Sequence, residues 1–135
     1  MNTGRFVLTF VVVWIVYVIL SFVLNGAILN WEGVEGMKME MGTGSYILAI
    51  IGELILAFMF CFIFTKGYEN KGIGEGFRFG FYIGLLMAAP LLFLHFAYYT
   101  YSAGLVWGFA IGNFIIYVIL GIVAALLYKP QAAAA

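Results

Sequence analysis

Charge is scarce in this sequence. Six Lys+Arg and six Asp+Glu are spread over 135 residues, 9% of the chain, where a water-soluble domain carries about 25%. That is too little polar surface to cover a globule in water. The formal net charge of +0 gives no electrostatic case for binding nucleic acid. Cysteine is limited to Cys61, which excludes an intramolecular disulfide. Histidine is limited to His95, a poor signature for a membrane haem. No Ser–His–Asp set, no carboxylate pair on one helix face and no multi-His cluster is present, so neither an enzyme nor a bound cofactor is expected.

What the chain does have is apolar length. It is 66% hydrophobic, with a mean hydropathy of +1.13. Four stretches, residues 6–24, 45–65, 77–99 and 105–128, each approach or exceed the ~20 residues a helix needs to cross a bilayer. The first is rich in Val and Ile, which would favour a strand in water. In lipid every backbone group needs an internal partner, so an unbroken apolar run reads as helix. The expected fold is all-α: one integral membrane domain over residues 1–131 with four transmembrane helices. A four-alanine tail at 132–135 is expected to lie outside it. The first span is expected to be retained and not cleaved as a signal peptide. No A-x-A-like site follows it, and its exit reads Leu24-Asn25-Gly26-Ala27.

Lys and Arg set the expected direction. Arg5, Lys66, Lys71, Arg78 and Lys129 fall on one side of a four-span chain, and Lys38 stands on the other among Glu32, Glu35 and Glu40. The positive-inside rule then puts both termini in the cytoplasm. Trp31, Tyr46, Tyr98, Tyr99, Tyr101 and Trp107 would form an aromatic belt at the outer interface.

Small residues recur every four positions. The third span carries Gly76, Gly80, Gly84 and Ala88, and the fourth opens with Gly104, Gly108 and Gly112. Such stripes let helix backbones approach closely, and two of them joined by a short turn predict an antiparallel hairpin. Pro90 is expected to kink the third helix and free a carbonyl one turn earlier. In the first span Thr9, Tyr17, Ser21 and Asn25 share a polar stripe.

The one charge inside an apolar run is Glu53, on a stripe with Ala49, Ala57 and Cys61. A carboxylate at that depth costs about +2.5–3.5 kcal/mol on insertion scales. Glu53 lies eight residues below the start of its span and Asn113 eight below the start of the fourth. His95 and Asn25 lie near the outer ends of theirs. A candidate polar site of Glu53, His95, Asn113 and Asn25 follows, in which a Glu53–His95 pair bridged by Asn113 could relay protons or bind a small polar ligand. The competing reading is that these groups hold the helices in register.

Two loops carry weaker signals. Met37, Met39 and Met41 form a Met-x-Met-x-Met motif of soft ligands suited to Cu(I). Over residues 36–42 it resembles the extracellular methionine motifs of eukaryotic copper transporters, although the four-span layout and the lack of an intramembrane Met-x-x-x-Met depart from that family. The Gly-rich loop at 66–76 lacks a P-loop or dinucleotide fingerprint. Its Glu75 suits a helix N-terminus, with Arg78 as a possible ion-pair partner.

Residues 66–86 include Lys66-Gly67-Tyr68-Glu69, followed by Gly74-Glu75-Gly76-x-Arg78-x-Gly80. This is similar to a recurrent stretch in small bacterial four-span membrane proteins of undefined activity. The resemblance implies a bacterial inner-membrane protein. The function expected first is a non-catalytic accessory subunit of a larger membrane complex, respiratory or photosynthetic, partnered by lipid and by other subunits or copies of itself. A small oligomeric transporter or channel using the Glu/His site is the alternative.

Overall fold

The structure, a computed structural model, describes residues 2–29, 42–98 and 100–128. Four helices follow one another: α1 (Thr3–Phe22), α2 (Thr43–Lys66), α3 (Ile73–Tyr98) and α4 (Ala103–Leu127), with no strand among the described residues. Each is long and apolar enough to cross a bilayer. This is a multi-pass membrane protein by length and composition.

Local sequence explains where the helices begin and end. The Arg5 amide donates to Asn2 Oδ1 at 3.2 Å and the Leu105 amide to Ser102 Oγ at 3.3 Å, so α1 and α4 start at side-chain caps. α1 passes into a π segment, Val23–Ile28, closed by Leu29 N–H on Leu24 O at 2.8 Å. α2 stops at Gly67, and α3 continues through Pro90 as one helix. Because Pro90 has no N–H, Leu86 O loses its helical donor.

The helices run up-down-up-down. Phe6 and Phe10 of α1 meet Phe58 of α2 at 5.5 and 6.1 Å between ring centroids. The carboxyl ends of α2 and α4 meet through Phe64 and Tyr128 at 6.3 Å. Arg5, Lys66, Lys71 and Arg78 therefore share one end of the bundle, called the basic end below; the opposite end is the far end.

α4 is the central helix. It contributes Val106, Ala110, Ile116, Tyr117, Leu120, Gly121, Ala124 and Ala125 to the interior, more than any other element. α3 packs on it most extensively, α1 next and α2 least. At the basic end Phe60, Phe64 and Phe79 close the gap between α2 and α3, with Phe79 at 4.9 Å from Phe60 and 5.2 Å from Phe64. Toward the far end the packing thins. α2 buries Ala57, Phe60, Cys61 and Phe64, while residues 43–56 bury none, and α3 buries nothing beyond Ala88.

Candidate functional site

Glu53 occupies the level where α2 changes from unpacked to packed. It is ten residues inside the helix, about 15 Å from its start at ~1.5 Å per residue. The helical repeat puts it on the same face as the buried Ala57 and Phe60, and it is itself partly buried. No hydrogen bond or ion pair of Glu53 is found among the described residues. Tyr17 of α1 lies near Glu53, and Tyr117 of α4 lies near Tyr17. Beside them, Trp14 Nε1 is buried with no hydrogen-bond partner among the described residues, and Ser21 sits against the Tyr17 hydroxyl.

The other polar candidates turn to their own helices. The Asn25 amide donates to Ser21 O at 2.9 Å and the Asn113 amide to Phe109 O at 2.8 Å. His95 Nδ1 meets Leu91 O at 2.7 Å, with its ring 6.1 Å from Tyr101 and 5.7 Å from Phe109. Each bond is to the carbonyl four residues earlier, the local alternative open to any short polar side chain in a helix. Asn113 shares the level of Glu53, ten residues inside α4. His95 does not: it lies three residues from the end of α3, about 4.5 Å from that end. The expected Glu53–His95 pair bridged by Asn113 is thus not among the described contacts. The polar side chain near Glu53 is Tyr17 of α1, with Ser21 and Tyr117 close to Tyr17 in turn. Tyr17 and Ser21 lie on the α1 polar stripe; Tyr117 is hidden in an apolar run and gives no sequence signal.

The glycines sort into two faces. A Cβ on Gly80 would stand 2.5 Å from Tyr117 O and 2.7 Å from Val118 Cα, and one on Gly84 3.0 Å from Phe114 O. A Cβ on Gly76 would collide with Gly121 O, and one on Gly121 with Gly76 O. The α3 stripe therefore lies directly on the α4 backbone. Its counterpart is Gly121 and its neighbours, and not the Gly104, Gly108, Gly112 stripe. Gly112 and Gly121 are nine residues apart, about 180° around a helix of 3.6 residues per turn. The Gly108 and Gly112 face receives Leu29 and Leu24 from the end of α1, while the Gly104 position is open.

The loop between α2 and α3 is built around Glu75. This buried carboxylate accepts the Glu69 amide at 2.5 Å and the Lys71 amide at 2.8 Å. Gly72, at φ +72°, makes the left-handed turn into α3. Glu75 is not the ion-pair partner of Arg78: Glu69 Oε2 takes both Lys71 Nζ at 2.5 Å and Arg78 Nη2 at 3.9 Å. The hydrogen bond and charge of Lys71 hold the Glu69 carboxyl below its ordinary range. Burial pushes the Tyr68 hydroxyl up, with the nearby Glu75 and Tyr128 adding to the effect.

Between the middle parts of α2 and α3, beside Tyr117, lies an apolar cleft of about 310 Å³, walled by Gly52, Leu56, Phe60, Ile83 and Met87 among others. A Cβ on Gly52 would meet nothing within 4 Å. Met37, Met39 and Met41, with Trp31, Tyr99, Lys38 and Lys129, lie outside the described residues. Among the described residues no group of three His, Cys, Asp or Glu side chains could hold a metal ion.

No protein-family model, curated protein or solved structure matches this chain.

Proposed function

We propose that the protein is a non-catalytic subunit of a larger membrane assembly, in a bacterial inner membrane with both termini cytoplasmic, and that it docks through the far half of α2. One observation carries this reading. None of residues 43–56 is fully buried, and near their lower edge stands a carboxyl with no ion pair among the described residues. Bare apolar surface is satisfied by lipid, but a carboxyl at mid-depth is not. A neighbouring helix with a hydrogen-bonding group at that level satisfies it and covers the cleft beside Gly52. The concentration of Arg5, Lys66, Lys71 and Arg78 at one end supports the orientation.

The test is purification in mild detergent followed by mass analysis of the intact particle, with wild-type chain and E53L side by side. A defined assembly that contains the wild-type chain and loses E53L supports docking through α2. A wild-type chain that runs as a bare monomer overturns it.

A transporter or channel is the second reading, favoured by the partly buried carboxyl of Glu53 at mid-depth with Tyr17 of α1 near it. It predicts proton or cation flux in vesicles that E53Q abolishes. The self-bonded Asn25, His95 and Asn113 make it the weaker of the two.

A further inference from the structure

We infer that the cleft between α2 and α3 is a binding site for one anionic phospholipid, with an acyl chain lying along the cleft and the phosphate at Lys66. This goes beyond the docking reading above and does not need it, since lipid fills the cleft whether or not a neighbouring helix lies over it.

The cleft has the dimensions of a lipid tail. Its α2 wall runs from Gly52 through Leu56 and Met59 to Ile63, and Ile83 and Met87 stand on the α3 wall. Gly52 and Ile63 are eleven residues apart, about 16 Å at ~1.5 Å per residue and close to half of a ~30 Å hydrocarbon core. Spread over that length, a volume of about 310 Å³ is a trough roughly 5 Å wide, which takes a hydrocarbon chain but not a helix ~10–12 Å across with its side chains. Met59 and Met87 are exposed at its two lips, so a chain enters from the side.

Charge selects the headgroup. At 3.6 residues per turn the line of Gly52, Leu56, Met59 and Ile63 continues to Lys66, so the cleft leads toward this side chain. Lys66 is exposed and has no ion pair among the described residues. Its Nζ lies 5.1 Å from the centroid of the Phe62 ring, turned back along the helix toward the apolar zone. A lysine at the edge of the bilayer, held there without a carboxylate, suits a lipid phosphate. The surroundings reinforce it. Arg5, Lys66, Lys71 and Arg78 share this end with Glu69 and Glu75, which leaves a surplus of positive charge, and the Glu75 carboxylate is buried under two amides. A headgroup with a net negative charge is therefore favoured over a zwitterionic one.

The test is native mass spectrometry of the full chain, released from mixed micelles that hold equal amounts of phosphatidylglycerol and phosphatidylcholine. Wild type is expected to keep one phospholipid per chain, with phosphatidylglycerol favoured about fivefold, the worth of one lysine near an anionic surface. K66Q should keep a lipid but lose most of that preference, because the trough is untouched. M59W and M87W place a ring in the trough from opposite walls and should each lower the occupancy of both lipids severalfold, with thermal melting by circular dichroism to confirm that the variant is folded. Equal retention of the two lipids by wild type, an unchanged preference in K66Q, or full occupancy in a folded M59W or M87W overturns the inference. Met59 and Met87 lie outside residues 43–56, so the two readings separate. A chain that enters a larger assembly through α2 but shows no lipid preference overturns the lipid site and leaves docking intact. A lipid-selective chain that purifies as a bare monomer supports the lipid site and overturns docking.

Discussion

Among single residues, Glu75 and Glu53 make a contrast. Both are acidic residues in a chain that has few, and they stand twenty-two positions apart. Glu75 is buried and satisfied, receiving two backbone N–H groups from the loop it follows. Replacing it with Ala orphans both donors, and a loss of about 1–3 kcal/mol is expected, read as earlier thermal unfolding in detergent micelles; Gln should recover part of it. Glu69 is held ionised chiefly by Lys71. The contribution of that pair is complete above the ordinary carboxyl range and is lost as pH falls through the depressed value. K71M removes the cause, so NMR titration should show the Glu69 carboxyl moving back up toward its ordinary range. Neither partnership was visible in the sequence, where Arg78 was the natural mate for Glu75. Spacing along a helix does not show that the preceding loop folds back to deliver its amides to Glu75, or that Arg78 instead leans toward Glu69. Asn25, His95 and Asn113 mislead for a similar reason. Their shared tilt toward one end suggested a common site, but a polar side chain in an apolar helix always has its own carbonyls within reach, and all three use them.

Between elements, contact is controlled by glycine. The hydropathy runs and the four-residue repeats were sufficient to predict four helices and a close α3–α4 pair. They did not reveal which face of α4 belongs to which neighbour, because Gly121 is a single glycine within an apolar run and the Gly104 to Gly112 stripe is the louder signal. The geometry makes the assignment testable. G76V and G121V each force a side chain into opposing backbone and should destabilise the fold by about 1–3 kcal/mol or more, whereas G104V, with open space around it, should be neutral in the same unfolding assay. L24A empties the space against Gly112, where Leu24 is buried. A loss of about 2–5 kcal/mol is expected, the usual range for a buried Leu→Ala change, and it should loosen α1 from α4 while leaving the α3–α4 pair in place.

For the whole molecule, the bundle is two halves of unequal tightness. The basic end is closed by aromatic rings and a braced loop; the far end is open around residues 43–56. Local openings follow packing, so hydrogen exchange of the detergent-solubilised monomer should show amides at 43–56 exchanging well ahead of those at 57–66. Equal protection along α2 would contradict that picture, and protection that appears at 43–56 on assembly would locate the docked face directly.

The central place of α4 also bears on biosynthesis. It is the last of the four helices to leave the ribosome, yet both α1 and α3 rest on it, on opposite faces. Of the three helices inserted before it, α1 and α2 can already pair, but α3 has little to hold it: it meets α2 mainly through rings at one end, and its glycine stripe waits bare. Closure is therefore a late event, and a nascent chain stalled before α4 would sit in the membrane with α3 loose and its glycine backbone exposed, the kind of substrate that membrane proteases remove.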